Sequence, residues 1–442
     1  MRIGSKNTTG WKATISVAMS NYIESGSIIA IATSLVFWQA EFGIDDVGVG
    51  LLAALSANAF GAAVGALLGG PLCDRFGRKF IYTYDLMLYM VGVLIAAFAW
   101  NFGSLLLAFI LTGIAVGAGV PASWTYIAEE APKNARAKHV GTAQLAWSVG
   151  PTIGFLLAVV LSPMGLMGSR IIFLHLFVVA LVTWWIRQGL SESGIWKDTK
   201  AMPVVMGRAG GIRGLLSKRK NLIAILFLFG VYGLWNTVAG QMGIFMPRVY
   251  ATAGVEDPMN QNLLQVLLWG CTVLSTYFGF MKFGDKVSLR KLYIVGGLLG
   301  IFSWVLLIFV EASTPILILF AISWGVAAGI GAQAFYSLWT SELFATRYRA
   351  SAQGVLFFLA RMAVGILSYW FPTLLVEHGV PFVGWIMLGL LAASLLIGAI
   401  WAPRTQGRSL QEIEDEREGT GAVTTISDTP SDADRFSGSA AR

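Results

Sequence analysis

The sequence predicts an all-α membrane protein, with 12 transmembrane helices in two pseudo-symmetric six-helix bundles. Three observations carry that prediction. The 442 residues are 56% hydrophobic and only 12% charged, where a soluble domain carries about 25% charged residues. Apolar runs long enough to span a bilayer, about 20 residues each, recur along the whole chain. The charged clusters that interrupt these runs repeat between the first half and the second.

In chain order the runs are 13–38, 47–71, 80–100, 103–125, 138–161, 168–187, 221–246, 262–282, 291–311, 314–337, 350–374 and 380–401. In lipid only helices and closed barrels satisfy their backbone groups. The runs lack the strict alternation of barrel strands, so they are helices. Residues 1–187 form the first bundle and 221–401 the second, with 188–220 as a cytoplasmic central loop. From 402 to 442 the composition shifts to Gly, Ser, Thr, Asp and Arg, too polar to bury a core of its own. Within this tail, 402–414 is expected as a short amphipathic stretch against the cytoplasmic face and 415–442 as disordered. Residues 1–12 are polar and basic, and the run after them is too long for a signal peptide and lacks a cleavage site.

The formal net charge is +7, and its placement explains it. One set of loops carries Arg75, Arg78, Lys79, Lys133, Arg136 and Lys138, then the basic central loop, then Lys282, Lys286, Arg290, Lys291, Arg347 and Arg349. The other set holds only Arg170 and Arg248, against Glu41, Asp45, Asp46, Glu256, Asp257 and Glu377. Basic loops stay in the cytoplasm, so both termini are expected there, with the chain in the cell (plasma) membrane. A topological bias of this kind gives no reason to expect a nucleic acid partner. Cys73 and Cys271 lie far apart and suggest neither a disulfide framework nor a metal site. No phosphate-binding Gly-Lys loop, metal-ligand cluster or nucleophile–base motif occurs. No enzymatic activity, metal or cofactor is therefore expected, and any transport would be driven by a gradient.

The internal repeat is specific. Tyr126-Ile127-Ala128-Glu129 leads to Arg136, and Ser341-Glu342-Leu343-Phe344 leads at the same spacing to Arg349. Asp74-Arg75-Phe76-Gly77-Arg78-Lys79 is answered by Asp285-Lys286-Val287-Ser288-Leu289-Arg290-Lys291. Such symmetry in an apolar chain marks a transporter built from two homologous bundles with substrate bound between them. Ionisable groups deep inside a span are costly and functional by default. Glu24 lies about 16 Å from the cytoplasmic end of its run, at the helical rise of about 1.5 Å per residue. Arg361 lies at a similar depth in its own run.

Taken in order, the motifs resemble the major facilitator superfamily, in its sugar-porter-like branch. Gly70 to Lys79 resembles the loop between helices 2 and 3. Glu129 to Arg136 and Glu342 to Arg349 resemble the ends of helices 4 and 10. Leu190-Ser191-Glu192-Ser193-Gly194-Ile195-Trp196 is similar to the segment after helix 6, with both of its prolines and its arginine replaced. Pro403-Arg404-Thr405-Gln406-Gly407-Arg408 resembles the C-terminal signature. The resemblance implies a conformational latch at the cytoplasmic rim, made by Asp74, Arg75, Arg78, Glu129, Arg136, Glu342 and Arg349. It would favour the outward-open state and break on inward opening.

The resemblance also places Glu24 where proton-coupled sugar porters carry an acidic residue. Their usual cation in helix 4 is replaced by Phe109, so Arg361 is expected either to partner Glu24 or to bind an anionic substrate. Gln144 matches the sugar-contacting glutamine of helix 5. The glutamine pair of helix 7 is absent, leaving Asn236, Thr237 and Gln241, while helix 10 offers Trp324, Gln333, Tyr336 and Ser337. Asn58 and Gln39 are weaker candidates. Asp85 is expected to pair with the nearby basic loop, His175 to be hydrogen-bonded structure, and Trp124 and Trp147 to pack.

The expected function is proton-coupled import of a small polar metabolite, a sugar or polyol, by a monomer in the lipid bilayer. Two alternatives keep the fold. One is an organic-acid carrier, suggested by Arg361 and the missing glutamines. The other is a proton-antiport exporter. A sensor that binds without transport is the reading from a different class.

Overall fold

The structure is a computed structural model that describes residues 10–132, 135–190, 192–194, 196–197 and 211–418. Among these residues, 11 helical segments are long and apolar enough to cross a membrane. They are α1 (Gly10–Phe42), α2 (Asp46–Phe76), α3 (Arg78–Ala97), α4 (Phe102–Glu130), α5 (Arg136–Leu161), α6 (Leu166–Gln188), α7 (Arg219–Ile244), α8 (Pro258–Met281), α9 (Leu289–Phe309), α10 (Thr314–Leu343) and the segment Arg349–Trp401. The last turns sharply at Gly379, whose φ of 76° is a left-handed value that suits glycine. It therefore runs as two legs, α11 (349–378) and α12 (380–401). The 12 runs read from the sequence correspond to these spans, and the chain is an all-α membrane protein of two pseudo-symmetric six-helix bundles.

The two ends of the molecule start their helices differently. On the face away from the tail, the outer face, three starts are capped by local side chains. Asp45 accepts from Gly48 N at α2, Asn101 and Ser104 form a reciprocal capping box at α4, and Asp257 accepts from Met259 N at α8. Each satisfies amide donors that a helix start leaves open. On the tail face, the starts of α5 and α11 are instead capped by aspartates from the opposite half.

Several spans are interrupted. The sequence reads 47–71 as one run, but α2 breaks at 56–59 between the helices Asp46–Leu55 and Phe60–Phe76. Short π-helical segments sit within α7 (Phe229–Gly233) and α8 (Thr276–Met281), and α10 breaks between Gly329 and Ala332. Irregular backbone at membrane depth is tolerated where protein buries it.

The halves meet along two seams, α2 against α11 and α5 against α8. Small residues allow the first seam to close backbone to backbone. A Cβ on Gly70 would lie 2.6 Å from the Ala350 carbonyl, and one on Gly354 would meet the Ala66 carbonyl.

Beyond α12 the chain folds back as α13 (Leu410–Glu418), which packs on the tail face through buried Ile413. This corrects the expectation of an amphipathic stretch at 402–414 and disorder from 415. The helix begins later and runs further, because Ile413 finds a buried place and Lys220 Nζ donates to Arg417 O at 3.1 Å. The disorder expected for 419–442 lies outside the described residues, as do 191, 195 and 198–210 of the central loop.

Candidate functional site

Glu24 and Arg361 meet in the interior. Glu24 Oε1 accepts a hydrogen bond from Arg361 Nη2, and both side chains are buried. The contact joins α1 of the first half to α11 of the second. Arg361 also donates through Nη1 to the Asn58 carbonyl at 2.9 Å and to Asn58 Oδ1 at 3.4 Å. That carbonyl is available because α2 is broken there, so the guanidinium satisfies backbone that the break exposes. Asn58 Nδ2 in turn donates to Gly240 O of α7 at 3.3 Å. The guanidinium carbon lies 4.6 Å from the centroid of Phe357, a cation–π contact that partly compensates its burial. Glu24 Oε2 and Arg361 Nε have no hydrogen-bond partner. The pair is thus only partly satisfied, which makes a buried charge pair sensitive to any change around it.

An aromatic floor lies next to this pair on the tail side. The Trp124 indole N–H donates to Asn21 Oδ1 at 2.9 Å, and Asn21 Nδ2 donates to Ser123 Oγ. Trp124 meets the edges of Tyr336 and Phe357 across the divide, and Tyr336 stacks on Tyr232 at 4.0 Å.

The other polar residues expected on α5, α7 and α10 are all buried but dispersed over those helices. Gln241 donates to Val364 O and accepts from Ser368 Oγ. Gln144 Nε2 reaches Ser148 Oγ at 3.4 Å and its Oε1 is unpartnered. Asn236 Nδ2 and the Trp324 indole N–H are also unpartnered, and Trp324 stacks on Trp235. Thr237 and Ser337 spend their hydroxyl protons on their own helices, at Gly233 O and Gln333 O, leaving only lone pairs for a ligand. Gln333 is buried in the inner part of α10. A cavity of about 340 Å³ opens toward the outer face, with Thr33, Gln39, Arg248, Gln261 and Asn262 among its lining residues. Arg248 there bridges Asp46 at 2.6 Å in a partly exposed pair.

The tail face carries the second cluster, and its partners are exchanged between halves. Arg78 grips Glu129 through two bonds, Nη2 to Oε1 at 2.7 Å and Nε to Oε2 at 3.1 Å. Ser193 Oγ adds a third bond at 2.7 Å, and Arg349 of the second half a fourth at 3.2 Å. Reciprocally, Arg136 of the first half donates to Glu342 of the second at 2.8 Å. The aspartates follow the same exchange. Asp74 accepts from Ala350 N and Ser351 N at the start of α11, and Asp285 accepts from Ala137 N and Lys138 N at the start of α5. Helix starts carry partial positive charge, so each aspartate ties its own half to the other.

Arg75 turns onto the Phe76 ring, 5.1 Å from the centroid. This ring contact lies within its own helix. Asp85 departs from its expected pairing with the basic loop. It is buried, and its Oδ1 accepts from Leu86 N, while Arg78 and Lys79 of that loop bind Glu129 and Gln188 O. His175 Nε2 bonds the Tyr22 hydroxyl at 3.2 Å. Sequence reasoning missed Asp285, Glu192, Ser193 and Glu414. Glu192 accepts from Arg78 N and Lys79 N, and Glu414 of α13 lies 3.9 Å from Arg349. Asp285 was legible as the repeat of Asp74, whereas Glu414 carried no local signal.

The comparisons with known proteins agree with this architecture. The profile of the Major Facilitator Superfamily matches residues 13–356. The minor myo-inositol transporter IolF of Bacillus subtilis (strain 168) is 42% identical over 416 residues, covering 92% of this chain and 94% of that protein. The glucose transporter GlcP of Staphylococcus epidermidis is 25% identical over 438 residues, covering 89% and 94%. Among solved structures, the proton:xylose symporter XylE bound to 6-bromo-6-deoxy-D-glucose matches with a TM-score of 0.75 at 19% identity, covering 92% of this chain and 99% of that one. Profile, identity and coverage together establish that the chain belongs to the Major Facilitator Superfamily, as a sugar-porter-like member.

Proposed function

We propose that the protein imports a sugar or polyol together with protons by alternating access. The observation that carries this reading is the buried Glu24–Arg361 contact between α1 and α11. A carboxylate held by a cation from the opposite half loses that cation when the halves part, and its affinity for a proton then rises. Proton binding is thereby coupled to the rocking of the two halves, 1–187 and 221–401, about the substrate between them. The exchanged bridges on the tail face hold that face shut, and opening toward the tail must break them. The names of the relatives, a myo-inositol transporter and a glucose transporter, support a neutral polyhydroxylated substrate. An organic acid would have to displace Glu24 from Arg361, since that guanidinium is already committed to Glu24 and Asn58.

The basic loops lie on the tail face, so by charge bias that face is cytoplasmic, with both termini there and the chain in the cell membrane as a monomer. The test is alkalinisation of the medium by cells offered a panel of inositols, hexoses and carboxylates. The reading expects a pH rise with at least one inositol or hexose and none with carboxylates. A rise with carboxylates alone would overturn it in favour of the organic-acid carrier, and acidification would point to an exporter.

A further inference from the structure

Gln265 of α8 is fully buried, and neither its amide nitrogen nor its amide oxygen has a hydrogen-bond partner. An unspent glutamine inside a membrane helix is expensive, and a leucine would fill the same space without that cost. Its setting explains what it could bind. Asn262, Gln265, Trp269 and Thr272 are spaced three and four apart and form the buried stripe of α8, so they share one face. Trp269 meets Trp147 of α5 at 5.2 Å between ring centroids, so this face looks across the seam into the first half. Both indole N–H groups are unpartnered, as is Gln144 Oε1 one turn along α5 from Trp147. One turn in the other direction along α8, Asn262 lines the cavity of about 340 Å³ at the outer face.

We propose that Gln265, with the indole pair Trp147–Trp269, forms a hydroxyl-reading subsite for the transported polyol or sugar at the α5–α8 seam. A hydroxyl both donates and accepts. A glutamine amide offers one donor and one acceptor side by side, which matches two neighbouring ring hydroxyls. The indoles add two donors and flat apolar faces for the ring carbons. None of these groups is charged, which suits a neutral ligand. Because α5 and α8 belong to opposite halves, a molecule held here bridges them, and its binding favours closure of the outer side. This inference rests on the proposed function and specifies where the substrate is read.

The experiment measures uptake of labelled myo-inositol and its inhibition by single-deoxy inositols and by deoxy and epimeric hexoses, for wild type, Q265L and W269F. Losing two bonds to neutral hydroxyls is expected to raise KM for the best substrate at least about tenfold in Q265L. At least one deoxy analogue that binds wild type poorly should bind Q265L as well as the parent sugar does. Thermal stability of purified Q265L should be unchanged or higher, because two unsatisfied atoms are removed. A structural role for the amide would instead lower stability and leave the ranking of analogues intact. W269F, which keeps the ring face, gives a second reading through a smaller rise in KM. Should wild type transport polyol or sugar while both variants keep its KM and its ranking, this inference falls and the proposed function stands. Should wild type take up none of the panel, both fall together.

Discussion

Arg349 opens α11 in the second half and donates to Glu129 at the end of α4 in the first, at 3.2 Å, with both side chains buried. Its counterpart contact, Arg136 to Glu342, runs the other way at 2.8 Å. The two bridges are related by the internal repeat, but their surroundings differ. Four residues after Asp74 stands Arg78, which grips Glu129 through two bonds. Four residues after Asp285 stands Leu289, and Glu342 Oε2 is left without a partner. The repeated lock is therefore strong on one side and weak on the other.

That asymmetry predicts unequal effects of neutralising the two acids. E129Q removes the carboxylate that Arg78 and Arg349 share and leaves them only the longer contacts to Asp74 at 3.6 Å and Glu414 at 3.9 Å, whereas E342Q removes the carboxylate bonded by Arg136 alone. The population open toward the tail should rise about tenfold or more in E129Q, and by clearly less in E342Q. Labelling of a cysteine introduced on the tail side of the seam, read with a membrane-impermeant thiol reagent on inside-out vesicles, measures it. Equal labelling of both variants would contradict the asymmetry.

Replacing Glu24 by glutamine removes the titrating group while keeping its shape. E24Q should lose accumulation against a gradient and its dependence on external pH, yet still exchange substrate across the membrane. Counterflow and uphill uptake at several pH values separate the two activities. Accumulation that survives in E24Q and still follows the proton gradient would remove Glu24 from coupling.

Arg361 should be far more damaging to lose alone than with its partner. R361M buries Glu24 uncompensated and leaves the Asn58 carbonyl unpaired, a loss of about 3–5 kcal/mol in stability for a broken buried pair. The double variant E24L/R361M replaces both charges by apolar groups and should recover much of that loss in a thermal melt, without regaining coupling. Additive losses in the double variant would show that the two residues act independently.

The α2–α11 seam has no room for a larger side chain on the tail side. Gly354→Leu would drive its side chain into the Ala66 backbone, which cannot give way as a flexible side chain would. Uptake should fall to near background while the protein still reaches the membrane, and the tail side should become more accessible to thiol reagents. Normal uptake by this variant would mean that the seam is looser than its packing implies.

Hydropathy and loop charge are local properties, so the sequence determined on its own the spans, the internal repeat and the depth of Glu24 and Arg361. Each follows from residues counted along one run, without knowledge of any neighbour. What tertiary structure decided is who meets whom. Glu129 and Arg136 share one motif, yet each bonds the opposite half, because helix ends brought together across the divide are closer than ends joined by a loop. The break in α2 that hands the Asn58 carbonyl to Arg361 lies inside an uninterrupted apolar run. Nothing in that run's hydropathy marks it, since the break is held by a guanidinium donated from a helix some 300 residues away.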